Sequence, residues 1–323
     1  MKKRICHIAA VIAALLICGS NAAAQPRPDR VISLYPQGQE AGKGIVENGR
    51  EVTLGAGESN GLTGPEGGTP GRRITGVGDN ARLEIYLPER NTAGQMLIMC
   101  PGGGYSCLST GLEGSWAAEW FLKEGIAVCV VIYRMPNGHG SVPLTDVQNA
   151  FRYCRAHAGE WGVKQIGVMG YSAGGHLAAC ASTLFTDEIT RPDFTILAYP
   201  VITMKDGLTH EGTRRELTGK DAAKYDLYSA EKLVRDDTPP TLLILSADDG
   251  AVPPENSFLY FNALAAHDIR REIHVLPAGG HGWGFATAKY AKDGKDPLGD
   301  YYRAVFFDIL DNYLYNMSLM SSE

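Results

Sequence analysis

The chain has 323 residues, of which 44% are hydrophobic, and its formal net charge is −6 at pH 7. The length suits a single large domain, because α/β folds commonly reach this size. The acidic balance makes nucleic acids and anionic membrane surfaces poor candidates as partners, because their negative charge repels an acidic protein.

The first 24 residues have the pattern of a secretory signal peptide. Three basic residues at 2–4 precede an apolar run at 8–18, and the alanines at 22–24 offer a cleavage site before Gln25. The apolar run is well short of the ~20 residues that a membrane span needs. We therefore expect a secreted or periplasmic protein that begins near Gln25 and has no membrane contact after cleavage. An uncleaved anchor is the alternative.

Five cysteines follow this leader, four of them in predicted apolar strands and helices: Cys100, Cys107, Cys129, Cys154 and Cys180. None has the C-x-x-C spacing of a metal site. An odd number of cysteines in buried elements favours core thiols over a framework of disulfides. A bridge between Cys100 and Cys107 is the alternative that stays open.

Residues 25–80 are rich in glycine and are predicted to form an extension of turns and short strands packed on the main domain. From residue 81 to the end, strands alternate with helices. The predicted strands lie at 82–87, 96–100, 126–132, 166–169, 194–198, 241–246 and 271–276. The predicted helices lie at 112–123, from 146 onward, and at 175–184, 256–266 and 300–315. Polar and apolar residues alternate at 82–87, which indicates an outer strand with one wet face.

This alternation of strands and helices predicts an α/β fold with a mostly parallel central sheet and helices on both faces. Residues 202–240 interrupt the pattern with a polar segment, which we interpret as a small cap-like insertion over the mouth of the site. Whether it is a mobile lid stays open. In such sheets ligands bind beyond the carboxyl ends of the strands.

The pentapeptide Gly170-Tyr171-Ser172-Ala173-Gly174 lies between a predicted strand and a predicted helix. A G-x-S-x-G sequence in that context is the nucleophile elbow, a sharp turn that exposes the serine hydroxyl above the sheet. A plain loop would be the alternative for the pentapeptide alone, but the strand before it and the helix after it favour the elbow. Ser172 is therefore the candidate nucleophile.

A serine hydroxyl needs a base, and the base needs a carboxylate to orient it. His281 follows the last predicted strand within a glycine-rich loop, and Asp249 follows the strand before it. Serine, acid and histidine then occur in the chain order of an α/β hydrolase. Asp248 is the rival for the role of the acid, and the spacing to Val252 and Pro253 favours Asp249.

An oxyanion that forms during acyl transfer must meet preorganised N–H donors. Three glycines follow Pro101, and their backbone can approach a substrate closely. We expect the amides of Gly103, Gly104 and Ala173 to form the oxyanion hole. A phosphate-binding loop is disfavoured, because no lysine follows the glycines as a P-loop requires.

Three aromatic residues flank these positions in the sequence: Tyr105, Tyr171 and Trp283. Their rings could contact a sugar or a feruloyl group, or they could simply pack the wall of the pocket. His210 lies in the predicted insertion, where a substrate contact has no other support. His176 follows the elbow and is expected to cap or pack. The predicted chemistry requires no metal and no organic cofactor.

The motifs around these residues resemble those of exported bacterial esterases of the bifunctional feruloyl/acetyl-xylan esterase-like group. The similar segments are Cys100-Pro-Gly-Gly-Gly-Tyr105, Gly170-Tyr-Ser-Ala-Gly-Gly-His176, Asp249-Gly-Ala-Val-Pro-Pro-Glu-Asn-Ser257 and Gly279-Gly-His-Gly-Trp283. The resemblance implies the α/β-hydrolase fold, with Ser172 as nucleophile, Asp249 as acid and His281 as base. Lipases related to hormone-sensitive lipase have a histidine before the three glycines, whereas this chain has Pro101.

Together these observations predict a secreted serine esterase that removes acyl groups, most readily acetyl, from plant cell-wall carbohydrate. An acylated oligosaccharide or polysaccharide would be its partner. Three alternatives remain: a feruloyl or pectic ester hydrolase, a peptidase of the prolyl-oligopeptidase type, and a hydrolase-fold protein that only binds carbohydrate. The peptidase is disfavoured, because about 60 residues before the catalytic domain cannot build a propeller of several four-stranded blades.

Overall fold

The computed structural model describes residues 26–36, 43, 45–47, 50–53, 67–69, 73–285 and 297–320. The predicted signal peptide and much of the glycine-rich extension lie outside these residues, so those predictions stand as made. Within the described part of the chain, no helix combines the length and the apolar character that crossing a membrane requires.

The described strands, in chain order, are β1 (Arg30–Ser33), β2 (Ile45–Glu47), β3 (Arg50–Val52), β4 (Gly67–Thr69), β5 (Arg73–Thr75), β6 (Arg82–Tyr86), β7 (Gln95–Cys100), β8 (Ala127–Ile132), β9 (Gln165–Tyr171), β10 (Thr195–Ala198), β11 (Thr241–Ser246) and β12 (Arg271–Leu276). Eight of them form one sheet in the order β1-β6-β8-β7-β9-β10-β11-β12. The pairs β1–β6 and β6–β8 are antiparallel, and all pairs from β8 to β12 are parallel. The remaining four strands form two short hairpins.

The described α-helices are α1 (Trp116–Lys123), α2 (Ser141–His157), α3 (Ala173–Thr183), α4 (Glu211–Thr218), α5 (Tyr225–Tyr228), α6 (Glu255–Ala266) and α7 (Pro297–Met320). A single π-helical turn, Gly111–Ser115, leads into α1. Helices cover both sides of the mostly parallel sheet, which confirms the predicted fold class.

The inner strands consist of apolar residues because helices cover them on both faces. Every residue of β7, β8 and β11 is buried. The strand β6 has the alternating pattern that indicated a wet face, but it is not the outermost strand. Its outer neighbour is β1, a four-residue strand with alternating burial, so the N-terminal extension supplies the edge of the sheet. The expectation of an outer strand at 82–87 is corrected accordingly.

The parallel direction of the sheet brings four strand ends to one side. The ends of β7, β9, β11 and β12 lead into the glycine loop, the G-x-S-x-G turn, the loop of Asp249 and the loop of His281. Between β10 and β11 the chain contains α4 and α5, joined by short turns, over residues 202–240. The side chain of Asn256 fixes this segment to the domain, since it accepts hydrogen bonds from the amides of Ile202 and Thr203 at 3.0 and 3.2 Å.

Candidate active site

Ser172 lies at the turn between β9 and α3, with φ 54° and ψ −119°. A positive φ is costly for a residue with a side chain, and such strain persists where the surroundings impose it. The two glycines of the motif permit this turn. A Cβ atom on Gly170 would lie 2.1 Å from the carbonyl oxygen of Gly174, and one on Gly174 would lie 2.1 Å from that of Cys100. The predicted elbow geometry is thus present, and only glycine fits the two flanking positions.

A chain of two hydrogen bonds joins the predicted nucleophile, base and acid. Ser172 Oγ lies 2.8 Å from His281 Nε2, and His281 Nδ1 lies 2.7 Å from Asp249 Oδ2. The other oxygen of Asp249 accepts the amides of Ala251 and Val252, both at 2.9 Å. Because the carboxylate accepts the Nδ1 proton, Nε2 is left as the acceptor for the serine hydroxyl. This tautomer is the one that general-base catalysis requires.

The neighbouring acid, Asp248, makes a different set of contacts. Its side chain is exposed and accepts the backbone amides of Gly280 at 2.8 Å and Gly279 at 3.4 Å. It therefore holds the loop that carries His281 but does not reach the imidazole. The geometry favours Asp249, whose side chain is 1% exposed, as the acid.

The loop after β7 presents glycines beside Ser172. Gly103 has φ 137° and Gly104 has φ 65°, and a Cβ atom on Gly103 would lie 2.1 Å from the carbonyl oxygen of Cys107. The amide of Gly102 is already bound to a carboxylate of Glu113 at 2.8 Å. Among the three glycines, this leaves the amides of Gly103 and Gly104 as the predicted donors. The third predicted donor, Ala173, is the first residue of α3, where amides have no partner within the helix.

These residues face a cavity of about 480 Å³. Ser172 and His281 line it together with Gly103 and Gly104, so the nucleophile and two of the predicted oxyanion donors share one space. Further lining residues are charged or polar and include Arg73, Glu113, His210, Arg215 and Glu216. Leu112 and Cys107 also line it, so the wall is mixed, with charged groups that can bind sugar hydroxyls beside apolar atoms.

The three predicted aromatic contacts are not part of the cavity wall. Tyr105 is 1% exposed and its hydroxyl lies 2.9 Å from His176 Nδ1, while Tyr171 is completely buried. Trp283 is half-buried and donates its indole N–H to Ser246 Oγ at 3.0 Å. The prediction of substrate contact is wrong for the two tyrosines, because their rings pack inside the domain. For Trp283, too, the packing alternative describes what the structure shows.

Two histidines outside the hydrogen-bonded trio differ in their position. His176 is buried in α3, with Nε2 2.7 Å from the carbonyl oxygen of Tyr228, and burial lowers its pKa to about 4. His210 precedes α4 and lines the cavity. Its Nδ1 accepts the amide of Thr213 at 3.2 Å, and burial, together with the nearby His281, lowers its pKa. A neutral His210 therefore carries its proton on Nε2.

Sequence reasoning did not identify Glu113, which lies in the π-helical turn and is 4% exposed. Its Oε1 accepts the hydroxyl of Tyr199 at 2.9 Å, and its Oε2 accepts the amide of Gly102 at 2.8 Å. Burial raises the pKa of this carboxyl. Nothing in the local sequence separates it from an ordinary acidic residue in the first turn of a helix.

Among the described residues, the cysteines and other potential metal ligands form neither a disulfide nor a metal site. Cys100 and Cys107 are both free, so the alternative of a bridge between them is wrong. The thiol of Cys107 donates instead to the carbonyl oxygen of Gly103 at 3.4 Å. In the part of the chain that the structure covers, no three His, Cys, Asp or Glu side chains converge to hold a metal ion.

Comparison with known proteins places this geometry among esterases. The BD-FAE family model matches residues 83–199, which include the glycine loop and Ser172 but neither Asp249 nor His281. An acetylxylan esterase of Xylanibacter ruminicola is 38% identical over 234 residues, covering 70% of this chain and 48% of that protein. An endo-1,4-beta-xylanase B of Butyrivibrio fibrisolvens is 34% identical over 226 residues, covering 64% of this chain and 35% of that protein.

Among solved structures, an acetyl ester-xyloside bifunctional hydrolase from Caldicellulosiruptor lactoaceticus has 28% identity and a TM-score of 0.65, over 89% of this chain and 98% of that one. The chain has the α/β-hydrolase fold and is similar to the xylan esterase-like group. This confirms the resemblance drawn from the motifs. The chain spans about half of the acetylxylan esterase and a third of the xylanase, so the similarity concerns one part of each relative.

Proposed function

We propose that this α/β hydrolase removes acyl groups, chiefly acetyl, from plant cell-wall carbohydrate of the xylan type. The observation that carries the proposal is the hydrogen-bonded chain from Ser172 through His281 to Asp249, at 2.8 and 2.7 Å. It ends in a cavity of about 480 Å³ with charged and apolar groups in its wall, which suits an acetylated sugar. The similarity to an acetylxylan esterase and to an acetyl ester-xyloside hydrolase supports a xylan ester as the substrate.

In the proposed mechanism, His281 Nε2 takes the proton of Ser172 Oγ as the oxygen attacks the carbonyl carbon of the ester. Asp249 stabilises the imidazolium that forms. The oxyanion of the tetrahedral intermediate accepts hydrogen bonds from the amides of Gly103, Gly104 and Ala173. When the intermediate collapses, His281 returns the proton to the departing sugar oxygen, and an acyl-serine remains.

Water completes the cycle. His281 takes a proton from a water molecule, which attacks the acyl carbonyl and forms a second oxyanion in the same hole. Collapse of this second intermediate releases acetate and restores the hydroxyl of Ser172. The positive φ of Ser172 keeps Oγ at the cavity, so both attacks use the same geometry.

We also propose that the protein acts outside the cytoplasm, since residues 1–24 have the pattern of a signal peptide. N-terminal sequencing of the protein recovered from the periplasm or medium of an expressing bacterium is expected to give a chain that starts at Gln25. A chain that keeps residues 1–24 and stays with the membrane would support the uncleaved anchor instead.

The decisive experiment is acetate release from acetylated xylan, with Ser172→Ala as the blank. Release that disappears in the variant would support both the nucleophile and the carbohydrate acetylesterase. Cleavage of an aryl acetate by Ser172, without release from xylan, would keep the mechanism but move the substrate to feruloyl, pectic or other esters. A wild-type protein that binds xylan and cleaves neither ester would contradict the proposed activity.

A further inference from the structure

Glu113 joins two loops of the site that come from opposite parts of the chain. Its Oε2 accepts the amide of Gly102 at 2.8 Å, directly before the two glycines that supply predicted oxyanion donors. Gly102 has little free space around its Cα atom. A Cβ atom on Gly102 would lie 2.9 Å from that same oxygen and 3.0 Å from the Cβ of Ser172. The carboxylate of Glu113 and the Cβ of Ser172 therefore both lie close to Gly102.

The other carboxylate oxygen of Glu113 is connected through Tyr199 to the loop that carries the base, His281. Tyr199, at the end of β10, donates its hydroxyl to Oε1 at 2.9 Å and accepts the amide of Gly284 at 2.8 Å. The ring of Tyr199 also meets the imidazole of His281 edge to face, with centroids 5.0 Å apart. Tyr199 itself has φ 37°, a strained value for a tyrosine. The contacts of Glu113 and Tyr199 thus connect the glycine loop beside Ser172 with the loop that carries His281.

The hydrogen bonds of this network also indicate the charge state of Glu113. Both carboxylate oxygens accept a donor, and the Tyr199 oxygen accepts a third. A protonated Glu113 that donated to Tyr199 would leave the tyrosine proton without an acceptor. With an ionised carboxylate, every donor and acceptor of this network has a partner. These hydrogen bonds offset part of the free-energy cost of burying the charge. An amide at this position would satisfy only some of them.

We propose that Glu113 is a positioning residue for the esterase reaction, acting with Tyr199 to hold the oxyanion amides and the His281 loop in register with Ser172. Neither side chain takes part in bond making. This inference rests on the proposed function, because it assigns a role within that reaction. It predicts that loss of the network slows the chemical step while leaving the binding of substrate nearly unchanged.

The test measures kcat and KM on an aryl acetate for Glu113→Ala, Glu113→Gln and Tyr199→Phe. A fluorophosphonate that labels the active serine counts the competent sites in each sample, so rates refer to folded enzyme. We expect kcat to fall about 100-fold in Glu113→Ala, with KM within about threefold of the wild type. The kcat of Glu113→Gln should be about tenfold higher than that of Glu113→Ala, because its amide oxygen can still accept the amide of Gly102.

Two further variants sharpen the test. Tyr199→Phe should lower kcat about tenfold, and Glu113→Gln combined with Tyr199→Phe should lose much less than the two single effects multiplied, since both break the same network. Glu119→Gln is the matched control, because Glu119 lies in the adjoining helix α1 and forms a surface ion pair with Lys123. It should behave as the wild type. If Glu113→Ala does not fold, the glutamine and phenylalanine variants carry the test.

The outcomes distinguish a failure of this inference from a failure of the proposed function. Variants at Glu113 and Tyr199 that keep the wild-type kcat per labelled serine would overturn the inference, even if their melting temperature falls, because the network would then be structural only. A loss confined to KM would also overturn it. A wild-type protein without serine-dependent cleavage would instead refute the proposed function. An active wild type with unaffected variants refutes this inference alone.

Discussion

Asp248 and Asp249 are neighbours in the chain but have different surroundings. Asp249 is buried, and two backbone amides and the imidazole of His281 surround its carboxylate. Asp248 is exposed and holds two glycine amides of the histidine loop. The first can fix the tautomer of the base and stabilise its positive charge. The second can affect catalysis only through the position of the loop.

This difference predicts the relative cost of removing each charge. Asp249→Asn should lower kcat on an aryl acetate by about 10³–10⁴-fold, because the amide can no longer hold the imidazole in the tautomer that accepts the serine proton. Asp248→Asn should lower it by less than about tenfold, since the amide oxygen can still accept from Gly280. Equal losses in the two variants, measured at matched thermal stability, would contradict the assignment of Asp249 as the acid.

His210 provides the second prediction at this scale. Its Nδ1 is bound to Thr213, so its Nε2–H is the group available to a hydroxyl or ester oxygen in the cavity. One hydrogen bond contributes about 0.5–1.5 kcal/mol, which corresponds to about a 2- to 12-fold change in binding. His210→Ala should therefore raise KM for acetylated xylan by that factor and change kcat little. His267→Ala, at an exposed position remote from the cavity, is the control. An unchanged KM would exclude the contact.

The sequence was a good guide to residues whose role follows from local chemistry. A serine between two glycines, and an aspartate and a histidine after successive strands, could be assigned because the elbow and the parallel sheet bring strand ends together. Tyr171 shows the limit: it directly precedes Ser172, but it is the last residue of β9 and packs inside the domain, whereas Ser172 lies in the turn. Glu113 was not predictable, since its partner Tyr199 lies 86 residues away.

At the level of the elements, His176 connects three of them. It lies in α3, receives the hydroxyl of Tyr105 from the glycine loop on Nδ1, and donates from Nε2 to the carbonyl oxygen of Tyr228 in α5. Only the neutral imidazole can accept at Nδ1, and burial lowers its pKa from 6.5 to about 4. The interface between the elbow helix and the 202–240 segment therefore contains a group that resists protonation.

This pKa fixes the sign of a pH effect on stability. Between pH 6.5 and about 4 the unfolded chain binds a proton at this histidine while the folded chain does not, so protonation favours unfolding and stability falls as the pH falls. From pH 7 to pH 5 the loss is about 2 kcal/mol, or roughly 4 °C in melting temperature for a chain of this size. In His176→Asn, whose amide can still donate to Tyr228, that part of the acid-induced shift should vanish. A shift as large as in the wild type would contradict the buried neutral histidine.

The order of the strands was predictable only in part. Continuous apolar runs identified the inner strands, because helices on both faces leave no room for polar side chains. The edge of the sheet was not identified. β1 has four residues with alternating burial, and it follows the predicted signal peptide in a region whose glycines suggested only turns and short strands. Its place beside β6 depends on pairing with residues about 50 positions later, which composition does not reveal.

At the scale of the whole molecule, Tyr35 connects the N-terminal segment that contains β1 to a buried ion pair of the main domain. Arg134 follows β8 and Asp146 lies in α2, and both side chains are fully buried, with guanidinium and carboxylate 2.7 Å apart. Tyr35, two residues after β1, donates its hydroxyl to Asp146, and the guanidinium of Arg134 lies 4.2 Å from the centre of its ring. The three side chains hold the edge strand, the sheet and a helix together.

Breaking this pair from one side should be costly, because the guanidinium of Arg134 stays buried without its carboxylate. Asp146→Ala is expected to lower the free energy of unfolding by about 3–5 kcal/mol, measured by urea denaturation. The double variant Arg134→Met/Asp146→Leu should lose less free energy of unfolding than the sum of the losses in its two single variants, since it removes both charges at once. Arg152→Ala, which breaks the exposed pair with Asp187, should cost less than about 1 kcal/mol. If Asp146→Ala were as mild as Arg152→Ala, the pair would not anchor the extension, and β1 would have to be held by its strand pairing alone.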